Sequence, residues 1–378
     1  MEATAKLRLL QVLVRTAVTR GRDALSHRLG LAAGAGDQYE EALNDAYVRR
    51  ACATLGITRR ELGEVIELEY RGAKRRVHGE WFDIDSYATG KLASDKPTCS
   101  RLMREAGLPV PDFAAVEAGD VGGAIAACAR WPGKVVLKPA VGTGGGQGVT
   151  AGIVHDDRRA IRAALWKASA YSRSVMVERF IEGENYRFLV CMGELLSVVR
   201  RVPASVVGDG SATLRELIDR ESERRLAKLK RLPALEHPML NPIQVDASLL
   251  KENGHSMSSV VEKGARVQCL RVCNRTPGGE TFDITSEVHP EFQDVAVRAA
   301  EAVGINLAGL DVICTGVDRP LAASGAAINE INTTPGLTAH YEVTNTEAQK
   351  DVLAVLLRRM FPALASASQS VASQAPPT

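Results

Sequence analysis

No apolar run in this 378-residue chain approaches the roughly 20 residues that a membrane span requires, so an integral membrane protein is not expected. A basic stripe is also missing. Lys and Arg number 47 against 45 Asp and Glu, for a net charge of +2, which argues against nucleic acid as the main partner. A disulfide framework finds no support. The seven cysteines (Cys52, Cys99, Cys128, Cys191, Cys269, Cys273 and Cys314) are scattered and odd in number, which suits reduced thiols in a cytoplasmic setting. Cys269 and Cys273 lack a second Cys/His pair at zinc spacing, so zinc is not expected there. No internal repeat is visible, and no Ser-His-Asp or Cys-His constellation offers a nucleophile. His289 and His340 read more readily as satisfied structural histidines, although His340 follows closely on a polar strand discussed below.

What is present is ordinary globular composition, 45% hydrophobic and 24% charged, long enough for two or three domains or lobes. The opening stretch "KLRLLQVLVRTAVTRGRDALSHRLGL" is basic and helically patterned. It lacks a small-residue cleavage site, so a surface helix is favoured over a transit peptide. Residues 40–70 read as helices followed by the strand "EVIELEY", with "RGAKRRVHGEWF" as a hairpin and "PTCSRLMREAG" as a helix stopped by Gly107. Helix "DVGGAIAACARW", strand "KVVLKP", a glycine-rich loop, strand "GVTAGIV", helix "DDRRAIRAALWKAS" and strand "SVMVERFI" follow. "NYRFLVCMGELLSVVRRV" is a two-strand hairpin, and "ATLRELIDRESERRLAKLKRL" a charged helical region with a solvated face. The last third brings strands "ARVQCLRV", "LAGLDVIC" and "AAINEIN", with helix "FQDVAVRAAEAVG" between the first two. Alternating helices and strands with antiparallel hairpins indicate an α+β architecture. The expected division is an N-terminal α/β domain over 1–90, a lobe over 91–175, a second lobe over 176–365 with an insertion near 203–265, and a disordered tail at 366–378.

Three stretches carry chemistry. In "INEINTTPGL", strand alternation points Glu330 and Asn332 to one side, about 7 Å apart along the chain. A carboxylate on a half-buried strand is costly unless it is paired or holds a cation, so the stretch is either a structural network or a hard-metal site. In "VVLKPAVGTGGGQGV", Lys138 ends a β-branched run, and Gly142, Gly144, Gly145, Gly146 and Gly148 follow. Such glycines let backbone N–H groups approach an anion, and the lysine supplies a point charge. The lysine precedes the glycines and a strand follows them, which excludes both a P-loop and a dinucleotide fingerprint. A flexible hairpin tip is the plain alternative.

In "SVMVERFIEGENYRF", Glu178 offers an acceptor, Phe180 and Ile181 offer main-chain donors and an apolar wall, and Glu184 or Asn185 could take ribose hydroxyls. Adenine needs that combination, although an exposed strand end with ordinary salt bridges reads equally from this segment alone. A hairpin joining "LAGLDVIC" to "AAINEIN" would bring Asp311 opposite Glu330, giving an oxygen-rich cluster suited to Mg²⁺.

The order of these motifs, ending in "NEINTTPG", resembles the ATP-grasp superfamily over about residues 61–342. "ASDKPTCSRLMREAGLPVP", "RVPASVVGDGSATLRELID", "NRTPGGETFDITSEVHPEF" and "AGLDVI" are similar to the ATP-grasp region of cyanophycin synthetase and bifunctional glutathione synthetases. "NTTPGLTAH" also resembles D-alanine–D-alanine ligase, but the insertion favours the cyanophycin-type branch. The resemblance implies an ATP-grasp fold, two α+β lobes clasping ATP. It implies Lys96 and Lys138 on the phosphates, the loop 142–148 closing over them as a mobile lid, and Glu178 on the adenine amino group. Asp311, Glu330 and Asn332 would hold Mg²⁺, with Mn²⁺ as the alternative ion. Arg187 and Arg271 would face the γ-phosphate or an acyl phosphate. Relatives carry an acid where Asn185 stands, so Glu184 is the alternative ribose contact.

The implied activity is an ATP-dependent carboxylate–amine ligase of small-molecule or natural-product biosynthesis, acting on amino-acid-like acids and amines. A homodimer is compatible with that reading. Alternatives are a phosphotransferase or carboxylase-type member without amide formation, and a non-catalytic ATP-binding module. A single lysine/glycine loop and a single Asp/Glu/Asn cluster, with no room for a further domain after residue 365, lead to the expectation of one bond per substrate rather than a polymer.

Overall fold

The computed structural model describes residues 33–229, 243–273, 278–345 and 350–364. The basic N-terminal stretch, the end of the charged helical region at 230–242, "NRTP" at 274–277 and the tail 366–378 lie outside the described residues. The chain divides into two compact units. The described part of the first is Asp85–Glu184 with Val288–Thr333; the second comprises the described residues of Ala32–Ile84, Asn185–Glu287 and Thr334–Thr378. The units interleave along the chain, so neither coincides with one of the contiguous stretches 1–90, 91–175 or 176–365.

In the first unit, four antiparallel strands stand side by side in the order Phe113–Glu117, Ser174–Arg179, Lys134–Pro139, Thr150–Val154. Helices Val121–Cys128 and Arg158–Ser169 cover one face. The second places Ile161, Ala164, Leu165 and Ala168 at helical spacing, and all four are buried against Val135, Leu137, Val175 and Val177. Asp157 starts this helix by accepting from the N–H groups of Arg159 and Ala160. Helices Lys96–Glu105 and Pro290–Val303 pack together. The first has Asp95 as N-cap, accepting from Thr98 N–H at 3.0 Å, and its end is followed by Gly107 at a φ of 73°. His289 caps the second, its ring nitrogen accepting from Glu291 N–H, which gives this histidine a structural task. Strands Leu307–Cys314 and Ala327–Asn332 form an antiparallel hairpin.

The second unit opens with helix Ala33–Leu55 and a meander of strands Thr58–Leu62, Val65–Tyr70, Ala73–His78 and Trp81–Phe82. Glu184–Cys191, Glu194–Val202 and Glu280–Asp283 pair antiparallel in that order. The insertion folds around its own core. Leu214, Ile218, Leu250, Val261 and Val267 are buried between helices Leu214–Leu229 and Ala247–Glu252 and the strand pair Ser205–Val207/Arg266–Gln268. A reciprocal cap opens the longer helix: Glu216 accepts from Thr213 N–H at 2.7 Å, and Thr213 Oγ1 accepts from Glu216 N–H at 3.4 Å. Among the described residues, no helix is long and apolar enough to cross a membrane.

Candidate active site

The site is built on the first unit, where two lysines are buried by the elements that carry them. Lys138 ends the strand Lys134–Pro139, whose neighbour is the strand of Glu178. Val136 stands opposite Glu178 and Lys138 opposite Met176, so Lys138 and Glu178 are diagonal neighbours on one face. A long side chain spans that diagonal, and Lys138 Nζ lies 2.7 Å from Glu178 Oε2. The ammonium also donates to the main-chain oxygen of Asn329 at 3.2 Å and to its Oδ1 at 3.4 Å. Burial pushes the Glu178 carboxyl above its ordinary pKa, and the charge of Lys138 opposes that shift. Glu178 Oε1 is buried and has no partner, so an acceptor is held ready for an incoming N–H donor.

Lys96 is the first residue of its helix, where the macrodipole adds positive potential to its own charge. Its Nζ donates to the carbonyl of Thr143 at 2.8 Å, inside the glycine-rich loop, and lies 3.2 Å from Glu330 Oε1. Lys96 N–H donates to Ala140 and Gly142 N–H to Ser94, which ties the loop to the helix start. Gly142, Gly145, Gly146 and Gly148 have positive φ, a backbone that side chains resist. At Gly148 a Cβ would also come within 2.7 Å of Pro139 and 2.8 Å of Tyr171. That position must be glycine on both counts.

The hairpin has the expected register. Asp311 is the cross-strand partner of Glu330, Gly309 is the partner of Asn332, and a bulge follows at Val312. Asp311, Glu330 and Asn332 are all half-buried. Among the described residues no group of three His, Cys, Asp or Glu side chains is placed to hold a metal. The candidate set here is two carboxylates and an amide, hard oxygens that suit Mg²⁺ and leave coordination positions for water and phosphate.

Phe180 spends its N–H on the Lys134 carbonyl at 3.0 Å, which removes it as a main-chain donor for a base, and its ring centre lies 5.6 Å from Lys134 Nζ; Ile181, next along the chain, is half-buried. Glu184 is exposed at the start of its strand. Asn185, Arg187 and Arg271 belong to the second unit. Asn185 Nδ2 donates to Cys273 Sγ at 3.5 Å, Arg187 is buried opposite Val199, and Arg271 forms ion pairs with Asp246 at 3.1 Å and Glu252 at 2.7 Å. His340 is fully buried, with Nδ1 2.9 Å from Ser197 Oγ. Burial first, then Arg187 and Arg201, push its pKa down to about 3, so the ring is neutral. Asn329 and Thr143 had no signal as residue types; Thr143 enters through its main-chain oxygen and Asn329 through its main-chain oxygen and Oδ1, which only the folded register aligns.

No protein-family model matches the chain. It is 30% identical over 310 residues to a cyanophycin synthetase of Geminocystis herdmanii, covering 79% of this chain and 34% of that protein. It is 31% identical over 291 residues to the glutathione biosynthesis bifunctional protein of Mannheimia succiniciproducens, covering 76% of this chain and 38% of that protein. The chain therefore spans little more than a third of the length of these relatives. Among solved structures, a bifunctional glutathione synthetase from Pasteurella multocida matches with a TM-score of 0.60 and 27% identity, covering 84% of this chain and 44% of that one. Two buried lysines, a positive-φ glycine loop and an Asp311/Glu330 hairpin thus accompany a likeness in both sequence and backbone: the chain is homologous to about a third of the length of the cyanophycin synthetases and glutathione biosynthesis bifunctional proteins, and it shares the fold of a bifunctional glutathione synthetase.

Proposed function

We propose that this chain is an ATP-dependent carboxylate–amine ligase that forms an amide or peptide bond between small, amino-acid-like substrates. The observation that carries this reading is the convergence of Lys96 and Lys138, both buried, on Glu330 and Glu178 beside the glycine-rich loop. Positive charge without a nucleophile or general-base triad is what phosphoryl transfer requires, because its catalysis is positioning and charge neutralisation. In the proposed reaction, a carboxylate oxygen bonds to the γ-phosphorus of ATP and ADP leaves. The amine nitrogen then bonds to the acyl carbon of the acyl phosphate, and phosphate leaves with the bonding pair as the amine loses a proton.

Lys96 and Lys138 neutralise the phosphate oxygens and hold the chain of phosphates in line. The loop from Gly142 to Gly148 contributes main-chain N–H groups and excludes water. Glu178 Oε1 accepts from the adenine amino group, and Glu184 or Asn185 from ribose. Asp311, Glu330 and Asn332 would hold Mg²⁺, which when bound neutralises charge on the β- and γ-phosphates. Arg187 and Arg271 are assigned to the transferring phosphoryl group by resemblance. Relatives acting on glutathione and cyanophycin precursors, and the scattered thiols, support a cytoplasmic enzyme of amino-acid-derived biosynthesis.

The test is ADP and phosphate release from the purified chain across a panel of carboxylic acids and amines. Release that needs both substrates, with a product mass equal to acid plus amine minus water, is expected. Release that depends on one substrate alone, or no release with any pair, overturns the assignment.

A further inference from the structure

Glu330, on the hairpin it shares with Asp311, already faces a cation. Lys96 Nζ lies 3.2 Å from its Oε1, and the two side chains are 8% and 23% exposed, so the pair is largely shielded from bulk water. Two further contacts hold the lysine in place. Its ammonium donates to the Thr143 carbonyl at 2.8 Å, and its main-chain N–H donates to the Ala140 carbonyl at 3.0 Å. Lys96 also begins its helix, whose dipole adds positive potential at the same point. Lys138 is engaged elsewhere. It pairs with Glu178 and donates to Asn329, whose side chain alternates to the opposite strand face from Glu330.

That pairing sets a condition on metal binding. A divalent cation bound to Glu330 would face the ammonium across a single carboxyl group. Like charges repel strongly at such range where solvent screening is weak, and the carboxylate that attracts the ion is already neutralised. The ammonium cannot retreat into water without breaking its bond to Thr143. A triphosphate reverses the balance, because its oxygens carry enough negative charge to hold both cations at once.

We infer that Lys96 makes divalent-cation binding at the Asp311/Glu330 hairpin conditional on the nucleotide. Lys96 is the counter-ion of Glu330 until ATP arrives; its ammonium then passes to a phosphate oxygen and frees Glu330 for the ion. Alone, the hairpin rejects a free divalent cation, and it accepts one in company with a nucleoside polyphosphate. This rests on the ligase reading, which supplies ATP and the hairpin as metal site, and it gives Lys96 a second task beyond neutralising phosphate.

Mn²⁺ is the probe, and water-proton relaxation of the full chain, enhanced when the protein holds the ion, is the readout; no turnover is involved. Without nucleotide, Lys96→Met should bind Mn²⁺ at least about tenfold more tightly than wild type, and Lys96→Gln, a second neutral replacement, should do the same. Lys96→Arg keeps the cation and should bind as weakly as wild type. Lys96→Met/Glu330→Gln should lose the gain, which places the ion on the hairpin. With a non-hydrolysable ATP analogue, wild type itself should hold Mn²⁺. No gain in either neutral variant, a gain in Lys96→Arg, or a gain that survives Glu330→Gln overturns the inference and leaves the ligase reading standing. Failure of wild type to hold Mn²⁺ even with the analogue removes the hairpin as metal site, and the inference falls with it.

Discussion

Lys138–Glu178 and Arg271–Asp246 are both cation–carboxylate pairs near 3 Å, yet solvent makes them different objects. The first has side chains 5% and 2% exposed at 2.7 Å; the second, 49% and 29% exposed at 3.1 Å. In water, an ion pair gains little over its hydrated partners, and exposed pairs are worth about 0–1 kcal/mol. A buried pair has lost that hydration, so each charge depends on the other. Lys138 and Glu178 are therefore a single unit, whereas Arg271 is held by contacts that water can replace.

The sharpest way to break the comparison is to remove one half of the buried pair. Lys138→Met should lose about 3–5 kcal/mol of stability in urea denaturation, because Glu178 is left buried without its counter-charge. Lys138→Met combined with Glu178→Leu should recover most of that loss while remaining inactive with ATP. A double variant as unstable as the single one would show that the two side chains are not a unit.

Asp311→Asn and Glu330→Gln change charge on a half-buried hairpin, so their unfolding curves should stay near wild type. ADP release should nevertheless fall by about 100-fold or more, as for the loss of a group that stabilises transition-state charge. Wild-type rates in either variant would remove the hairpin from the metal role.

His340 is a third kind of buried group, kept neutral rather than paired. Its folded pKa of about 3 lies below the unfolded value of 6.5. Between those values the unfolded chain binds the extra proton, so stability present above pH 6.5 is lost as pH falls, by up to about 1.4 kcal/mol per pH unit. Urea unfolding from pH 7 to pH 4.5 should show a shallower pH slope in His340→Gln than in wild type. Equal slopes would place the acid sensitivity elsewhere.

Arg271→Ala should cost less than about 1 kcal/mol. Turnover should fall despite the preserved fold if Arg271 meets the phosphoryl group, and unchanged turnover would confine it to its surface pairs. The smallest effect concerns the loop: residues 142–148 should gain hydrogen-exchange protection when an ATP analogue is added. Unaltered exchange there would contradict a closing lid.

Much of the site was legible because period-2 alternation and residue type say which groups share a strand face. Glu330 and Asn332 could be placed on one side from "INEIN", and the pairing of Asp311 with Glu330 followed once a hairpin was drawn between two apolar runs; the register bears it out. The helix ending at Gly107 and the hairpin through Met192 were readable for the same local reasons. The short strands Phe113–Glu117, Ser205–Val207 and Glu280–Asp283 were not anticipated. Segments of three to five residues carry too little pattern, and each is a strand only because a partner supplies its hydrogen bonds. "ARVQCLRV" is strand only at Arg266–Gln268, where it faces Ser205–Val207.

By itself, then, the sequence determined the chemistry available: two lysines, a glycine loop that tolerates positive φ, and hard oxygens on two apolar strands. Tertiary structure decided who partners whom. Lys138 meets Glu178 across a strand register and Asn329 from 191 positions away, and Lys96 reaches both Thr143 and Glu330. It also gathered Asp85–Glu184 with Val288–Thr333 into one unit. Local propensity acts over a turn or a strand, whereas burial strips water from charges that lie far apart in sequence, and only the packed chain settles which of them must then pair.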